Sequence, residues 1–183
     1  MTEVLVPLAP GCEELEAVTI MDLMVRAGIQ VTSVGLDDQV VTCSRGTRIK
    51  PSTSIDQVMD KSFDMVVLPG GLPGANHLRD DPRVQAILQK HAAENKYIGA
   101  LCAAPIALAQ AGVLKGKTVT AFPGSMDETD VSGINLKDTV IEVDGKVITS
   151  RGPGTAMDFV LTLIELLEGK AKRNQVEQAL VRP

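Results

Sequence analysis

The stretch Gly99–Pro105, GALCAAP, sets Cys102 between an apolar run and a proline-led run of small residues. If the first run is a strand and the second a helix, the thiol lies at the turn between them. There the helix dipole and unpaired N–H groups favour a thiolate and lower a cysteine pKa from about 8.5. A strand-to-helix corner also lifts its side chain to the top of a sheet, as in a nucleophile elbow. Ala103 and Ala104 leave space for a substrate, and Pro105 has no N–H to lose at a helix start. A buried structural thiol is the alternative reading of the same stretch.

A nucleophile needs a group that moves protons. Glu16 is the candidate, because Glu16, Ile20 and Leu23 share a stripe at i, i+4, i+7. The two apolar partners turn the Glu16 carboxyl inward, where burial raises its pKa. A neutral carboxylic acid beside a thiolate can hydrogen-bond to it without repulsion and exchange a proton with it. Glu13 and Glu14 are expected outward, favouring the dipole, a role also open to Glu16. The third component is LPGGLPGA, residues 68–75. Its glycines Gly70 and Gly71 let the backbone approach a ligand with free N–H groups, and with the Ala103 amide they can form an oxyanion hole. An ordinary tight turn uses the same residues. Neither a dinucleotide fingerprint nor a P-loop lysine is present. Of the two histidines, His91 falls inside a helix and His77 follows the glycine loop; neither is a strong proton carrier.

These residues must be positioned by strands and helices. Glu3–Leu8, Gln30–Gly35, Asp64–Leu68 and Tyr97–Leu101 read as strands, and Val40–Lys50 as a β excursion. Helices are predicted over Glu13–Ala27, Asp81–Asn95, Ala103–Ala111, Thr155–Glu168 and Lys170–Leu180, with a further strand over Thr118–Ala121. Asp144-Gly145, between two alternating runs in VIEVDGKVITS, predicts a hairpin on a type I′ turn. Apolar strands alternating with helices imply a parallel sheet covered on both faces, whose ligands bind beyond the strand carboxyl ends. The candidate tips are 9–12, 69–74 and 101–104.

The whole chain fits this plan as one domain over 1–183. It has 183 residues, 44% hydrophobic and 22% charged, with net charge −5. Mixed charge without a basic stripe argues against nucleic acid, and no Trp with one Tyr argues against base stacking. No apolar run is long enough to span a bilayer and no signal pattern opens the chain, so the expectation is a cytoplasmic protein that does not engage membranes. Three cysteines without metal-ligand spacing read as reduced thiols, with no metal and no organic cofactor expected. The helix holding Leu15, Val18, Ile20, Met21, Leu23, Met24 and Val25 is apolar around most of its circumference. It therefore needs cover on two sides, which predicts a homodimer with Met24 at the interface.

The motifs LAPGCEELEAV, CSRG, VVLPGG, ALCAAP and ITSRGPGTAMDF, in that order, resemble the ThiJ/PfpI superfamily, in the branch of the parkinsonism-associated protein and the bacterial ThiJ-type proteins. The resemblance implies a flavodoxin-like three-layer α/β sandwich, mostly parallel, with a β-hairpin, that forms a homodimer. It implies Cys102 as nucleophile, Glu16 as its hydrogen-bond partner, Gly71 and the Ala103 amide as pocket donors, Arg45 near the pocket and Arg26 at the interface. Several relatives place a histidine after the strand that follows the cysteine; here Phe122 stands there, which weakens a peptidase or amidase reading. Cys12, on a tip beside Cys102, is a possible resolving thiol for oxidised Cys102, or a small residue near a helix cap; Cys43 is expected in the core or interface. The function expected is cofactor-free, cysteine-dependent detoxification of small aldehydes such as methylglyoxal and glyoxal, of glyoxalase III type, or deglycation of glycated substrates. The alternative is a non-enzymatic oxidative-stress sensor or chaperone acting through a Cys102 sulfinate.

Overall fold

The computed structural model describes residues 1–182. In chain order the elements are β1 (Glu3–Leu8), α1 (Glu14–Arg26), β2 (Gln30–Gly35), β3 (Val41–Thr42), β4 (Arg48–Ile49), β5 (Thr53–Ser54), β6 (Met65–Leu68), α2 (Gly74–Asp80), α3 (Pro82–Ala93) and β7 (Tyr97–Leu101). They continue with α4 (Pro105–Gln110), β8 (Thr118–Val119), β9 (Asn135–Leu136), β10 (Ile141–Asp144), β11 (Val147–Ser150), α5 (Ala156–Glu168) and α6 (Lys170–Ala179). The main sheet runs β10-β11-β7-β6-β1-β2-β5, and all its pairings are parallel except β10 with β11. β3 and β4 form a separate antiparallel hairpin.

Alternation along β1 explains the three layers. Leu5 and Ala9 join the core beneath α2, α3 and α4, whereas Val4, Val6 and Leu8 join the core beneath α1 and α5. Period two with both faces apolar is the mark of a strand covered on both sides. The chain leaves β1 for β2 on one side and returns to β6 on the other. The tips of β1, β6 and β7 therefore converge at the switch point, where open α/β sheets build their sites. No helix among the described residues is long and apolar enough to cross a membrane.

Three local expectations are corrected. The hairpin is present, but Asp144 pairs with Val147, so Gly145 and Lys146 make the turn and only Gly145 has positive φ, at 63°. The helix expected from Ala103 starts at Pro105, because Ala103 and Ala104 belong to the corner itself. β8 stops at Val119 and pairs with β9 instead of the main sheet. There the Thr120 N–H is taken by Thr149 Oγ1 at 2.9 Å, which ends the ladder. The short helix α2 and the strands β5 and β9 had no clear periodic signal, each being shorter than the window in which periodicity is readable.

Candidate active site

Cys102 occupies the corner after β7 with φ at 63°, a left-handed conformation that costs a non-glycine residue about 1–2 kcal/mol. The surroundings fix it there. Its N–H donates to Ser150 O at 3.0 Å and its carbonyl accepts from Phe122 N–H at 2.8 Å. Opposite stands Gly70. A Cβ on Gly70 would lie 2.7 Å from the Cys102 Cβ, 2.7 Å from Leu101 O and 2.8 Å from Ala103 N. The first glycine is thus required by the close approach of two strand tips.

Glu16, in the first turn of α1, is fully buried with Ile20 and Leu23, as their shared stripe predicts. Its Oε2 accepts the Gly70 N–H at 2.7 Å. Its Oε1 is buried without a hydrogen-bond partner. The Cys102 thiol lies beside this carboxyl, so each group feels the other's charge. Burial pushes the Glu16 carboxyl up to about 7, against the pull of the Gly70 N–H. The two glycines therefore divide their roles. Gly70 is not a free pocket donor, since its N–H is spent on Glu16; the N–H groups of Gly71 and Ala103 are the ones directed at the sulfur.

The expectation of a lowered thiol pKa is overturned. Cys102 is only 7% exposed, and burial with the Glu16 carboxylate pushes it up to about 12, outweighing the Gly71 and Ala103 N–H groups. Burial is the chief cause, and α4, with only 6 residues beginning beyond Ala104, offers little dipole to oppose it. Passing the thiol's proton to Glu16 would remove the repulsion between the two groups. Once neutral, Glu16 no longer repels the sulfur's charge and can donate a hydrogen bond to it.

The thiol that Cys12 is seen to contact is Cys43, with the two Sγ atoms 3.6 Å apart. Arg45 sits on the exposed turn after β3, and it is its backbone N–H that is used, by Glu14. Glu14 was expected to point outward. Instead it accepts from Ser44 Oγ, Arg45 N–H and Thr47 N–H, which hold its carboxyl down at about 2 despite partial burial. No sequence signal marks this anchor, because its partners lie across a turn of the chain. Arg26 is exposed and paired with Asp22 at 2.7 Å. Met24 is fully buried within the chain, which makes it a core residue and not a contact surface.

Neither histidine is hydrogen-bonded to Cys102 or Glu16 among the described residues. His77 Nδ1 bonds to Pro10 O at 2.9 Å, and His91 is buried on α3 against Ile87 O. Phe122 is half-exposed and packs near Gly152. A Cys–His hydrolytic pair is not assembled among the described residues, nor is any cluster of three or more metal-ligating side chains.

Residues 2–166 match the DJ-1/PfpI family. Protein dj-1beta of Drosophila melanogaster is 43% identical over 178 residues, covering 97% of this chain and 95% of that protein. Its crystal structure matches with a TM-score of 0.95 at 43% identity, over 100% of this chain and 98% of that one. A Caenorhabditis elegans protein named glutathione-independent glyoxalase DJR-1.2 is 35% identical over 168 residues, 92% of this chain and 89% of that protein. An oxidised Toxoplasma gondii DJ-1 structure matches with a TM-score of 0.92 at 36% identity, over 99% of this chain and 98% of that one.

Proposed function

The chain belongs to the DJ-1/PfpI family, and from that premise we propose that it converts small α-oxoaldehydes such as methylglyoxal to hydroxy acids, using Cys102 and Glu16 and no cofactor. The observation that carries this reading is the buried Glu16 carboxyl beside the thiol, fixed through one oxygen by Gly70 and free at the other. The worm relative named as a glyoxalase supports it.

Glu16 takes the Cys102 proton, and the sulfur attacks the aldehyde carbon. The carbonyl π electrons move to oxygen, which is protonated, giving a hemithioacetal. Glu16 then removes the proton from the former aldehyde carbon and returns it at the adjacent carbon through an enediol. The Gly71 and Ala103 N–H groups stabilise the negative oxygen formed on the way. The product is a thioester of the hydroxy acid, and water cleaves it to release the acid and restore the thiol. Methylglyoxal plus water gives lactate, with no external oxidant or reductant. An early glycation adduct, a hemiaminal, would enter the same sequence through the aldehyde that it releases as its C–N bond breaks and the amine departs. The test is turnover of methylglyoxal by purified protein, with lactate quantified. Cys102→Ser is expected to fall to the buffer rate, and a serine variant retaining wild-type turnover would refute the mechanism.

A second reading, a sensor of oxidative stress, draws on the oxidised Toxoplasma relative and on the same pocket. A Cys102 sulfinate would accept hydrogen bonds from Gly71 and Ala103 N–H and from protonated Glu16. Mild peroxide followed by intact-mass and peptide mapping tests it: a two-oxygen adduct on Cys102 is expected, and its absence there counts against the sensor. A cytoplasmic, homodimeric protein acting on small aldehydes or glycated substrates is the setting that this function fits.

A further inference from the structure

The chemistry of Cys102 leaves two thiols unused. Cys12, in the β1–α1 corner, and Cys43, after β3, are 31 positions apart in sequence, and their sulfurs are 3.6 Å apart in the interior. Two backbone hydrogen bonds hold the segments side by side, Gly11 N–H to Thr42 O and Ser44 N–H to Cys12 O, each 2.8 Å. The Glu14 carboxylate ties down the far side of the same turn through Ser44, Arg45 and Thr47. Opposed sulfurs on backbones already joined need an approach of only about 1.5 Å to reach the covalent S–S distance of about 2.05 Å.

We propose that Cys12 and Cys43 form a second redox site, separate from Cys102, in which a hydroperoxide drives closure of a Cys12–Cys43 disulfide. Cys43 is the sulfur that meets the oxidant. Cys43 is itself only 5% exposed, but it opens a tight turn of exposed residues, closed by Cys43 N–H to Thr47 O at 2.8 Å, whereas Cys12 is fully enclosed. Burial raises both thiols, but a Cys12 S–H donated to Cys43 eases ionisation of Cys43, while a charge on Cys43 opposes that of Cys12. The Cys43 thiolate attacks the peroxide, the O–O bond breaks, and water or an alcohol leaves with one proton, giving a Cys43 sulfenic acid. Cys12 sulfur then attacks Cys43 sulfur. The S–O bond breaks and hydroxide leaves as water with the Cys12 proton, so the peroxide takes up two electrons and each sulfur gives one.

Closure would reach the pocket through packing. A Cβ on Gly74 would lie 2.4 Å from Cys12 N, and one on Gly71 would lie 2.8 Å from Cys12 C. The Cys12 corner is therefore in direct contact with the loop whose Gly71 N–H faces the Cys102 sulfur.

The experiment uses full-length Cys102→Ser protein exposed to hydrogen peroxide at the dose that fully oxidises Cys102 in the wild type. It is then unfolded in an alkylating agent and mapped without reduction. Both remaining thiols should be lost to alkylation, a Cys12–Cys43 linked peptide should appear, and dithiothreitol should restore both thiols. Adding Cys43→Ala should abolish the linked peptide; if that variant fails to fold, the map of Cys102→Ser decides alone. Two intact thiols at this dose, oxygen adducts on Cys12 or Cys43 without a link, or a link between different molecules would each overturn the proposal. So would a Cys12–Cys102 link in wild-type protein.

Discussion

Glu16 has no cation beside it, and one of its oxygens has no hydrogen-bond partner, so burial governs its proton. Glu16 and Cys102 titrate as a coupled pair that holds two protons below about 7 and one above it. Methylglyoxal turnover should rise with pH through about 7, as the pair acquires the negative charge that makes the thiolate available. In Glu16→Gln the amide oxygen can keep the Gly70 contact, but the proton carrier is lost. The expected result is a kcat lower by about 10²–10⁴-fold and no rise near neutrality, read from pH–rate profiles. Stability moves in the opposite sense. The folded pKa of about 7 exceeds the ordinary 4.5, so the neutral acid's contribution is complete below 4.5 and is lost as pH rises to 7. Glu16→Gln should therefore gain on the wild type by up to about 3 kcal/mol between pH 5 and 8, measured by urea unfolding. An advantage that stays constant with pH would mean that Glu16 is ionised throughout. The inward direction of Glu16 was legible from its stripe with Ile20 and Leu23. The thiol's shift was not, because the sequence shows a helix start without showing how short the helix is or how deeply the sulfur lies.

At the scale of elements, turns rather than helices build the pocket. The tips of β1, β6 and β7 meet because β1 is the branching point of the sheet, and each tip supplies main-chain groups more than side chains. Gly70 is the tightest of these contacts. Gly70→Ala forces a methyl against backbone on both Leu101 and Ala103, neither of which can swing aside. It should cost about 1–3 kcal/mol or more and lower the melting temperature. It should also displace Glu16 from its N–H and change the alkylation rate of Cys102 at least severalfold. An alanine variant with the wild-type alkylation rate would show that the Gly70 contact does not set the thiol's surroundings. The β-hairpin and the four long helices were readable from alternation, glycine stops and proline starts. β8 was overextended because a side-chain oxygen on Thr149, far away in sequence, takes the next N–H.

At the scale of the molecule, α1 has one face more than its own chain can cover. Ile20, Leu23 and Met24 fill the core, while Leu15, Val18 and Val25 remain 50%, 47% and 61% exposed. A second copy of the chain is the cover expected for this stripe. Light scattering should give a mass near twice 19.4 kDa, and Val18→Glu should shift it towards one chain without altering the circular dichroism. A wild-type mass of one chain would remove the homodimer from the functional reading. The sequence by itself determined the order of the longer strands and helices, the corner that carries Cys102 and the inward turn of Glu16. Those follow from periodicity and from the backbone limits of glycine and proline, which act within a few residues. Only the tertiary structure decided that Gly70 serves Glu16, that Cys12 faces Cys43, that Glu14 anchors a distant turn and that the thiol's pKa is raised. Each of these depends on depth of burial or on segments as far apart as 54 positions being brought within hydrogen-bond distance, and no local pattern encodes either.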